Sequence, residues 1–220
     1  MRKVIAATFI SLDGVMQAPG GPEEDTAGGF KFGGWTFHHW DEAMGQSMEQ
    51  TFGAPFDLLL GRKTYDIFAA HWPHIQNEPI ADQFNAITKY VATRSNQQLT
   101  WKNSVALRGD AAAEVARLKQ QDGPVLLLQG SSDLIQSLLA RDLIDEFRLL
   151  TFPVVLGVGK KLFGSGSIPV GLKLVESKAS TTGVIMSTYV RAGTVTTGTF
   201  ALEPPTEAEL ERRAKMRAEG

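Results

Sequence analysis

Short apolar runs rich in Val, Ile and Leu alternate along the chain with helical segments, and this alternation limits the fold more than any other feature. The predicted strands are "VIAATFI", "DLLL", "TKYVATRS", "SVALRG", "PVLLLQG" and "DEFRLLTFPVVLG". Strands that alternate with helices predict a mostly parallel sheet with helices on both faces. The last two segments, "GLKLVESKAS" and "GVIMSTYVRAG", have no helix between them and predict an antiparallel C-terminal edge. The expected fold class is α/β.

The charge and the residue types exclude several classes of protein. A formal net charge of -2 over 220 residues argues against nonspecific nucleic-acid binding, which needs a basic face. The chain has no cysteine, which excludes disulfides, thiolate nucleophiles and cysteine-based zinc sites. The N-terminal "MRKVIAATFISLDG" is too short to span a membrane and lacks a cleavage signal. We therefore expect a cytoplasmic protein without nucleic-acid or membrane partners.

A long glycine-rich connection, "GVMQAPGGPEEDTAGGFKFGGW", follows the first strand. Irregular segments of this length are uncommon inside a domain and are often lids or binding loops, although a disordered insertion is the alternative. Phe30, Phe32 and Trp35 favour a loop that docks on the domain, because disordered segments are usually poor in aromatic residues. After the loop, apolar residues at i, i+4 spacing from Trp40 to Phe52 predict a helix.

Polar residues follow the strand "DLLL" directly, at Gly61, Arg62, Lys63 and Thr64. A helix that begins here offers free backbone N–H groups and the positive end of its dipole, beside two cations and a hydroxyl. That combination suits a phosphate dianion. Taken alone, however, these residues are better explained as surface cations, since exposed Lys and Arg are usual.

Two further strands end in polar residues of the same kind. Thr93, Arg94 and Ser95 place a guanidinium between two hydroxyls, which suits either a second phosphate or a simple polar turn. The third junction is "LLLQGSSDLIQSLL", where Gly130 permits close backbone approach and the two serines can cap a helix or bind a phosphate oxygen. Three such junctions together favour a ligand at the carboxyl ends of the strands, where open α/β sheets bind ligands.

Other catalytic and metal-binding signatures are incomplete. The segment "PVVLGVGKKLFGSG" lacks the spacing of a Walker phosphate loop and the third glycine of a dinucleotide fingerprint. The sequence has no G-x-S-x-G elbow of a serine hydrolase. His38 and His39 are adjacent, and Pro73 breaks the helical geometry that would align His71 with His74. We expect no metal site.

With these motifs identified, the chain resembles the dihydrofolate-reductase-like superfamily. Within it, the chain is most similar to the C-terminal reductase domain of bacterial riboflavin-biosynthesis deaminase/reductase proteins, the RibD C-terminal domain family. The segments that carry the resemblance are "SLDG", "LLLGRKTYD", "LLLQGSSDLIQSLL" and "LIDEFRLLTFPVVLGVGKKLF". The resemblance implies a stand-alone reductase domain over residues 1–192, because no H-x-E…P-C-x-x-C deaminase signature is present. Residues 193–220 would form an extension with a charged helix.

The resemblance also implies NADPH as the hydride donor. The residues implied at the cofactor phosphates are Gly61, Arg62, Lys63 and Thr64, and those at the adenosine 2′-phosphate are Thr93, Arg94 and Ser95. The residues implied along the pyrophosphate and nicotinamide are Gln129, Gly130, Ser131, Ser132, Asp133 and Leu134. The family commonly has two glycines where this chain has Gly130 and Ser131, so the backbone of this turn is where the chain departs from the family pattern.

Two carboxylates are the implied catalytic groups. Asp13, with Gly14 beside it, would lie near the nicotinamide ribose and the substrate. Dihydrofolate reductases place a carboxylate on their first helix, and Asp41 and Glu42 are the nearest candidates here. Acidic residues in a first helical turn also stabilise the helix dipole without any catalytic role.

The sequence thus predicts an NADPH-dependent reductase that transfers hydride to a C=N or C=O bond of a heterocycle or ribosyl derivative. The resemblance implies 5-amino-6-(5-phosphoribosylamino)uracil as the substrate, with a dihydrofolate or pteridine as the alternative. A non-catalytic nucleotide-binding module, and a partner-binding role for the C-terminal charged helix, are the competing hypotheses. The resemblance further implies a homodimer.

Overall fold

The strand order of the sheet determines where a ligand can bind. The computed structural model describes residues 1–164 and 167–219. Within these ranges the strands are β1 (Val4–Ser11), β2 (Phe56–Gly61), β3 (Lys89–Thr93), β4 (Ser104–Arg108), β5 (Val125–Gly130), β6 (Glu146–Phe152), β7 (Leu172–Ala179) and β8 (Ile185–Arg191). Their order is β4-β3-β2-β5-β1-β6-β8-β7. Strands β1 to β6 pair in parallel, and β8 is antiparallel to both β6 and β7. The predicted sheet, mostly parallel with an antiparallel C-terminal edge, is confirmed.

Helices cover both faces of this sheet, as predicted. They are α1 (Glu42–Gly53), α2 (Arg62–His71), α3 (Pro79–Ala86), α4 (Ala111–Lys119), α5 (Ser132–Leu139) and α6 (Glu207–Glu219). Because side chains alternate along a strand, Ile5 of β1 packs with α2 and α3, whereas Val4 and Ala6 pack with α4 and α5. The helix predicted from Trp40 begins at Glu42 instead, because Asp41 is extended and caps it.

The central strands are buried on both faces. Residues 58–60 of β2 are fully buried, and residues 126–128 of β5 are at most 1% exposed. Each fully buried leucine contributes roughly 1.5–3 kcal/mol relative to an exposed one. The middle of the sheet is therefore a firm base for the loops at its carboxyl edge.

The amino-terminal edge of the sheet is closed by buried charges with internal partners. Arg2 is buried, pairs with Asp57 at the start of β2 and donates to a main-chain carbonyl at 2.6 Å. Lys119 pairs with Asp145, which precedes β6. The ammonium of Lys89, the first residue of β3, donates to three main-chain carbonyls at 2.9–3.2 Å. Burial lowers the pKa of Lys89 to about 8.

The chain beyond β8 lies outside the core. None of the described residues after Arg191 is buried, and α6 contributes no buried side chain. A charged C-terminal helix was expected and is present. The domain boundary at residue 192 stays a prediction, and Gly220 at the end of the predicted extension lies outside the described residues. In the part of the chain that the structure describes, no helix is both long enough and apolar enough to cross a membrane.

Candidate active site at the carboxyl edge of the sheet

A gap opens between the central strands β1 and β5 at their carboxyl ends. Their pairing ends at Ala6 and Leu128. Beyond this point β1 stays paired with β6, while β5 stays paired with β2 through a shift of register. A cavity of about 610 Å³ lies at the gap, and residues 7–9 of β1 and 129–130 of β5 line it. The gap lies at the edge where ligands bind in open α/β sheets.

Two helix starts meet beside this gap. Gly61 ends β2 and precedes α2, and Ser131 follows β5 and precedes α5. A Cβ atom on Gly61 would overlap the Ser131 hydroxyl, and one on Gly130 would lie 2.8 Å from Thr64 Oγ1. Gly130 also has a φ of +151°, which side chains rarely adopt. These contacts require glycine at both positions and bring the first turns of α2 and α5 together.

The N-termini of α2 and α5 carry no side-chain cap, in contrast to α1 and α4. Asp41 caps α1 and Asp110 caps α4, each through backbone N–H groups of the first turn. No side chain accepts from the first turns of α2 and α5 at their Gly61 and Ser131 caps. Their N–H groups and positive dipole ends are therefore available to an anion.

The structure brings most of the predicted phosphate residues of two junctions to this cavity. Those that line it are Lys63, Thr64, Gln129, Gly130, Ser131, Ser132 and Asp133. Gly61 and Leu134 are buried just beneath it. Arg62 does not line the cavity, because its guanidinium pairs with Asp66 one turn along α2.

The third junction lies on the neighbouring strand and outside the cavity lining. β3 pairs with β2, so Thr93 and Arg94 follow the strand end next to Gly61. Thr93 is buried, and its hydroxyl accepts the N–H of Ser95 at 3.0 Å. Arg94 is exposed. The segment is therefore on the correct edge of the sheet, one strand away from the cavity.

Asp13 holds two loops together and does not line the cavity. Its carboxylate accepts the Ser11 hydroxyl at 2.6 Å and the N–H groups of Leu156 and Gly157 at 3.1 and 2.9 Å. The bond from Ser11, with the two backbone bonds, lowers the pKa of Asp13 to about 2 against the effect of burial. Gly14, at φ +81°, receives the N–H of Leu162 on its carbonyl at 2.9 Å. In this geometry Asp13 joins the two loops, and its catalytic role stays a prediction.

Asp41 is also placed away from the cavity, contrary to the expectation of a catalytic role. One carboxylate oxygen caps α1 through Met44 N at 3.0 Å. The other accepts the backbone N–H and hydroxyl of Thr181 at 2.8 and 2.7 Å. The bond from Thr181 is the main reason why the pKa of Asp41 is lowered. Its oxygens join α1 to the β7–β8 turn, and Glu42 does not line the cavity either.

The long loop after β1 is folded against the domain, as its aromatic residues predicted. The indole N–H of Trp35 donates to Gln17 O at 2.8 Å, and the Thr36 hydroxyl donates to Pro19 O at 2.7 Å. Phe30 is 5% exposed, whereas Phe32 is about half exposed. Residues 16–21 of this loop line the cavity. The loop therefore forms one wall of the site.

The loop also brings charged groups that motif analysis did not identify. Glu24, Asp25 and Lys160 line the cavity, and Asp25 forms an ion pair with Lys160. Burial opposes ionisation of Asp25, but the bond from Lys160 prevails and its pKa is lowered. Burial raises the pKa of Glu24, although Gly20 and Gly21 donate their N–H groups to it. The run "PEED" in a glycine-rich loop was the only sequence signal for the carboxylates of Glu24 and Asp25.

The rest of the cavity is apolar and mostly aromatic. We call this region the aromatic end, and its lining residues are Phe9, Trp40, Met48, Phe52, Ile67, Phe68, Trp72, Ile80 and Phe84. Phe84 is its centre: its ring lies 5.3 Å from Phe52, 6.1 Å from Phe68 and 4.8 Å from Trp72. The i, i+4 pattern from Trp40 to Phe52 was the only hint of this region in the sequence.

Thr8 of β1 is an exception to the pattern of satisfied buried polar groups. It is 4% exposed and lines the cavity. Among the residues that the structure describes, its hydroxyl is the one buried side-chain polar atom without a hydrogen-bond partner. An unpaired buried hydroxyl costs about 1–3 kcal/mol, so Thr8 Oγ1 is a point of local destabilisation in the central strand.

Two curated relatives from Bacillus subtilis (strain 168) match this chain. The uncharacterized protein YyaP is 29% identical over 136 residues, which cover 60% of this chain and 72% of the relative. The uncharacterized protein YwjB is 31% identical over 135 residues, which cover 61% of this chain and 73% of the relative.

Solved structures confirm the dihydrofolate-reductase-like fold. A protein described as a riboflavin biosynthesis protein, from Shewanella sp. PV-4, matches with a TM-score of 0.60 and 20% identity over 86% of this chain and 99% of that one. Dihydrofolate reductase from Enterococcus faecalis, complexed with NADP(H), matches with a TM-score of 0.54 and 14% identity over 86% and 96% of the two chains. At these identities the matches show the fold alone.

A family model identifies the chain more closely than these individual matches. The model of the RibD C-terminal domain matches residues 2–186. This range contains β1 to β7, the first two residues of β8 and every residue that lines the cavity. The chain belongs to the RibD C-terminal domain family.

Proposed function

We propose that the protein is an NADPH-dependent reductase that transfers hydride to a C=N or C=O bond of a small ring-containing substrate. The observation that carries the proposal is the meeting of two uncapped helix starts, α2 and α5, at the mouth of the cavity. Paired N–H arrays with Lys63 beside them suit the pyrophosphate of a dinucleotide. The E. faecalis reductase with this fold is complexed with NADP(H), which supports the choice of cofactor.

The chemistry of the residues that line the cavity suits this cofactor. Thr64, Ser131 and Ser132 supply hydroxyls, and glycine at 61 and 130 lets Ser131 and Thr64 pack against the main chain, which brings the two helix starts together. Arg94 and Ser95, which follow the neighbouring strand β3, would contact the adenosine 2′-phosphate. When bound, the cofactor supplies the hydride, and the protein orients its ring against the substrate in the gap between β1 and β5.

The experiment that tests this proposal is a titration of the protein with NADPH and NADH. We expect NADPH to bind at least about tenfold more tightly, because a guanidinium bond to the 2′-phosphate contributes roughly 1.5–3 kcal/mol. Arg94→Ala should remove most of that preference and leave NADH affinity unchanged. Arg117→Ala, an exposed arginine on α4, is the control. If neither NADPH nor NADH binds, the proposal is overturned.

Glu24 is our candidate for the donor of the proton that must accompany the hydride. Neighbouring carboxylates with pKa values displaced in opposite directions are typical of acid–base sites. The ion pair with Lys160 keeps Asp25 ionised, whereas burial favours the protonated form of Glu24. Glu24 would therefore donate the proton, and Asp25 with Lys160 would fix the loop that carries it.

An infrared titration tests the protonation state of Glu24. The protonated-carboxyl band should lose intensity as the pH rises through the raised pKa of Glu24, above its ordinary value of 4.5. Glu24→Gln should abolish this component, while Glu23→Gln, at the exposed neighbouring position, should keep it. A Glu24 component that disappears below pH 4.5 would contradict the assignment. With a substrate in hand, Glu24→Gln should lower kcat by about a hundredfold or more.

The substrates implied by resemblance receive unequal support. A pteridine needs a carboxylate on the first helix in dihydrofolate reductases, and no acidic residue of α1 lines the cavity. The phosphoribosyl uracil intermediate needs cations at its phosphate, and the lysines that line the cavity are Lys63 and Lys160. The homodimer and the cytoplasmic location stay predictions, and the molar mass by sedimentation equilibrium decides the first. A nucleotide-binding module without catalysis would bind NADPH and reduce no substrate.

A further inference from the structure

The glycine-rich loop after β1 is closed at its base. Gly34 donates its N–H to Ala18 O at 2.9 Å, so the two ends of the loop lie together. Compact loops with adjoining ends are frequently functional. We call residues 18–34 the acidic loop, because two of its carboxylates, Glu24 and Asp25, line the cavity. The position of these carboxylates depends on what holds the loop against the domain.

Gln17, the residue before the acidic loop, holds the loop through its side-chain amide. The amide nitrogen donates to Asp25 O at 3.0 Å and to Ala27 O at 2.9 Å, and the amide oxygen accepts the N–H of Lys160 at 3.1 Å. Gln17 is 4% exposed and lines the cavity. The reversed amide would set its oxygen against two carbonyls, so these partners determine which way the group points.

The same amide joins the main chains of two residues that form an ion pair. Asp25 and Lys160 pair through their side chains, and Gln17 bonds to the main chain of each. The N–H of Met16 also donates to Lys160 O at 2.8 Å, which aligns the end of the β1 segment with the segment that carries Lys160. Three separate parts of the chain therefore meet at one buried side chain.

The bonds of Glu24 itself do not attach it to the rest of the domain. Its carboxylate accepts the N–H groups of Gly20 at 2.6 Å and Gly21 at 3.2 Å. Both bonds lie within the acidic loop, so they fix the shape of the turn and not its place at the cavity. A shift of the loop would expose Glu24 to water and change its distance from the other charged groups of the lining, Asp25, Lys63, Asp133 and Lys160.

The burial of Gln17 couples the loop to the domain. An amide that is removed from water is stable there only while its hydrogen bonds are made. If the acidic loop moved away, the two N–H groups of Gln17 would lose both carbonyl acceptors. The loop and the side chain therefore hold each other in place, and the turn that carries Glu24 stays at the cavity.

We propose that Gln17 is a positioning residue, whose amide holds the turn of Glu24 and Asp25 at the cavity so that Glu24 can deliver its proton there. The role of Glu24 in this proposal rests on the proposed function, but the effect of Gln17 on the loop can be measured without a substrate. Because Gln17 acts through main-chain atoms of the loop, loss of its amide should alter the proton step and leave the affinity for NADPH unchanged.

Gln17→Met tests the proposal, because it keeps the length of the side chain and removes all three bonds. Gln83→Met is the matched control: Gln83 donates to Phe52 O at 2.8 Å and lies outside the cavity lining. Backbone hydrogen exchange is measured in the full chain without ligands. In Gln17→Met the acidic loop should exchange at least about tenfold faster relative to the buried residues 126–128, and in Gln83→Met this ratio should not change. An unchanged ratio in Gln17→Met would overturn the proposal.

A pH titration separates positioning from a merely structural role. In the infrared titration, the Glu24 component should move down towards the ordinary pKa of 4.5 in Gln17→Met and keep its raised pKa in Gln83→Met. A Glu24 component that stays raised in Gln17→Met would overturn the proposal. A component that is not raised in the unsubstituted protein would instead overturn the assignment of Glu24 as proton donor, while the exchange measurement still tests the hold of Gln17 on the loop.

Two further measurements complete the test. With a substrate, Gln17→Met should lower kcat about tenfold or more, while its Kd for NADPH stays within about twofold; weaker NADPH with an unchanged kcat would contradict the proposal. If Gln17→Met does not fold, Gln17→Glu replaces it, because it keeps the acceptor for the Lys160 N–H and loses both donors. Its acidic loop should also exchange at least about tenfold faster, and exchange at the unsubstituted rate would overturn the proposal.

Discussion

The two edges of the parallel sheet are constructed in opposite ways. At the amino-terminal edge, Arg2, Lys89 and Lys119 are buried and have partners inside the protein. At the carboxyl edge, two helices begin without side-chain caps, and the hydroxyl of Thr8 has no partner. At the amino-terminal edge the buried cations have partners, whereas at the carboxyl edge the N–H groups of two helix starts and the Thr8 hydroxyl have no side-chain partner among the residues that the structure describes. The difference teaches that satisfied polar groups stabilise one edge of this fold, whereas the other edge keeps the helix starts at which we propose that the cofactor binds.

The largest expected effect comes from breaking the amino-terminal edge. Asp57→Ala leaves the buried Arg2 without its carboxylate, which should cost about 3–5 kcal/mol of unfolding free energy. The affinity for NADPH should not change, because this pair lies at the opposite edge. Chemical denaturation and a nucleotide titration on the same sample measure both quantities. A loss of affinity without a loss of stability would show that the two edges do not have separate roles.

An intermediate effect is expected from the carboxyl edge. Lys63→Ala should weaken NADPH about tenfold to a hundredfold, in line with one lost charge-assisted bond. Its unfolding free energy should stay within about 0.5 kcal/mol of the unsubstituted protein, as for most surface changes. Lys173→Ala, an exposed lysine on β7, is the control. Unchanged affinity in Lys63→Ala would return this residue to the role of an ordinary surface cation.

The smallest expected effect has the opposite sign. Thr8→Val replaces the unpaired hydroxyl by a methyl group of similar shape, so the ligand-free protein should gain about 1 kcal/mol of stability. Ser180→Ala is a useful comparison, because Ser180 is also buried but its hydroxyl accepts the N–H of Val184 at 2.9 Å, so its loss should destabilise the protein. Thermal unfolding without ligands measures the change. A destabilised Thr8→Val would mean that the hydroxyl is satisfied in the ligand-free protein.

The fold and the two helix starts at the cavity could be predicted because their signals are local. The step from "LLL" through Gly61 to the first turn of α2 is contained in a few residues, and so is the step from β5 to α5. Buried strands and helix starts depend mainly on neighbours in the sequence. The sequence therefore placed Lys63, Thr64 and Ser131 at one edge of the sheet, where the structure has them line the cavity, and their role in binding a cofactor stays a prediction.

The surroundings of the carboxylates could not be predicted in the same way. Asp13 and Asp41 have the expected chemistry, but their partners Leu156 and Thr181 are more than a hundred positions away and make them structural. Glu24 has no motif, because its environment depends on how a long loop folds back on the sheet. Thr8 looks like any residue of a buried strand until the gap between β1 and β5 is seen. Contacts between distant segments decide each of these roles.

Helix α2 lines the cavity with Lys63 and Thr64 in its first turn and is followed by Trp72, which lines it at the aromatic end. This arrangement has a consequence for inhibitor design. An anionic group held at Thr64 and a flat ring held at Trp72 would be separated by about 12 Å. A single molecule that joins the two through a spacer of that length would bind its second group intramolecularly, and its affinity could exceed that of either fragment by about a hundredfold or more. Spacers too short to reach would lose the whole gain. The length of one helix thus sets the spacer length of a ligand that joins an anionic group to a flat ring in this cavity.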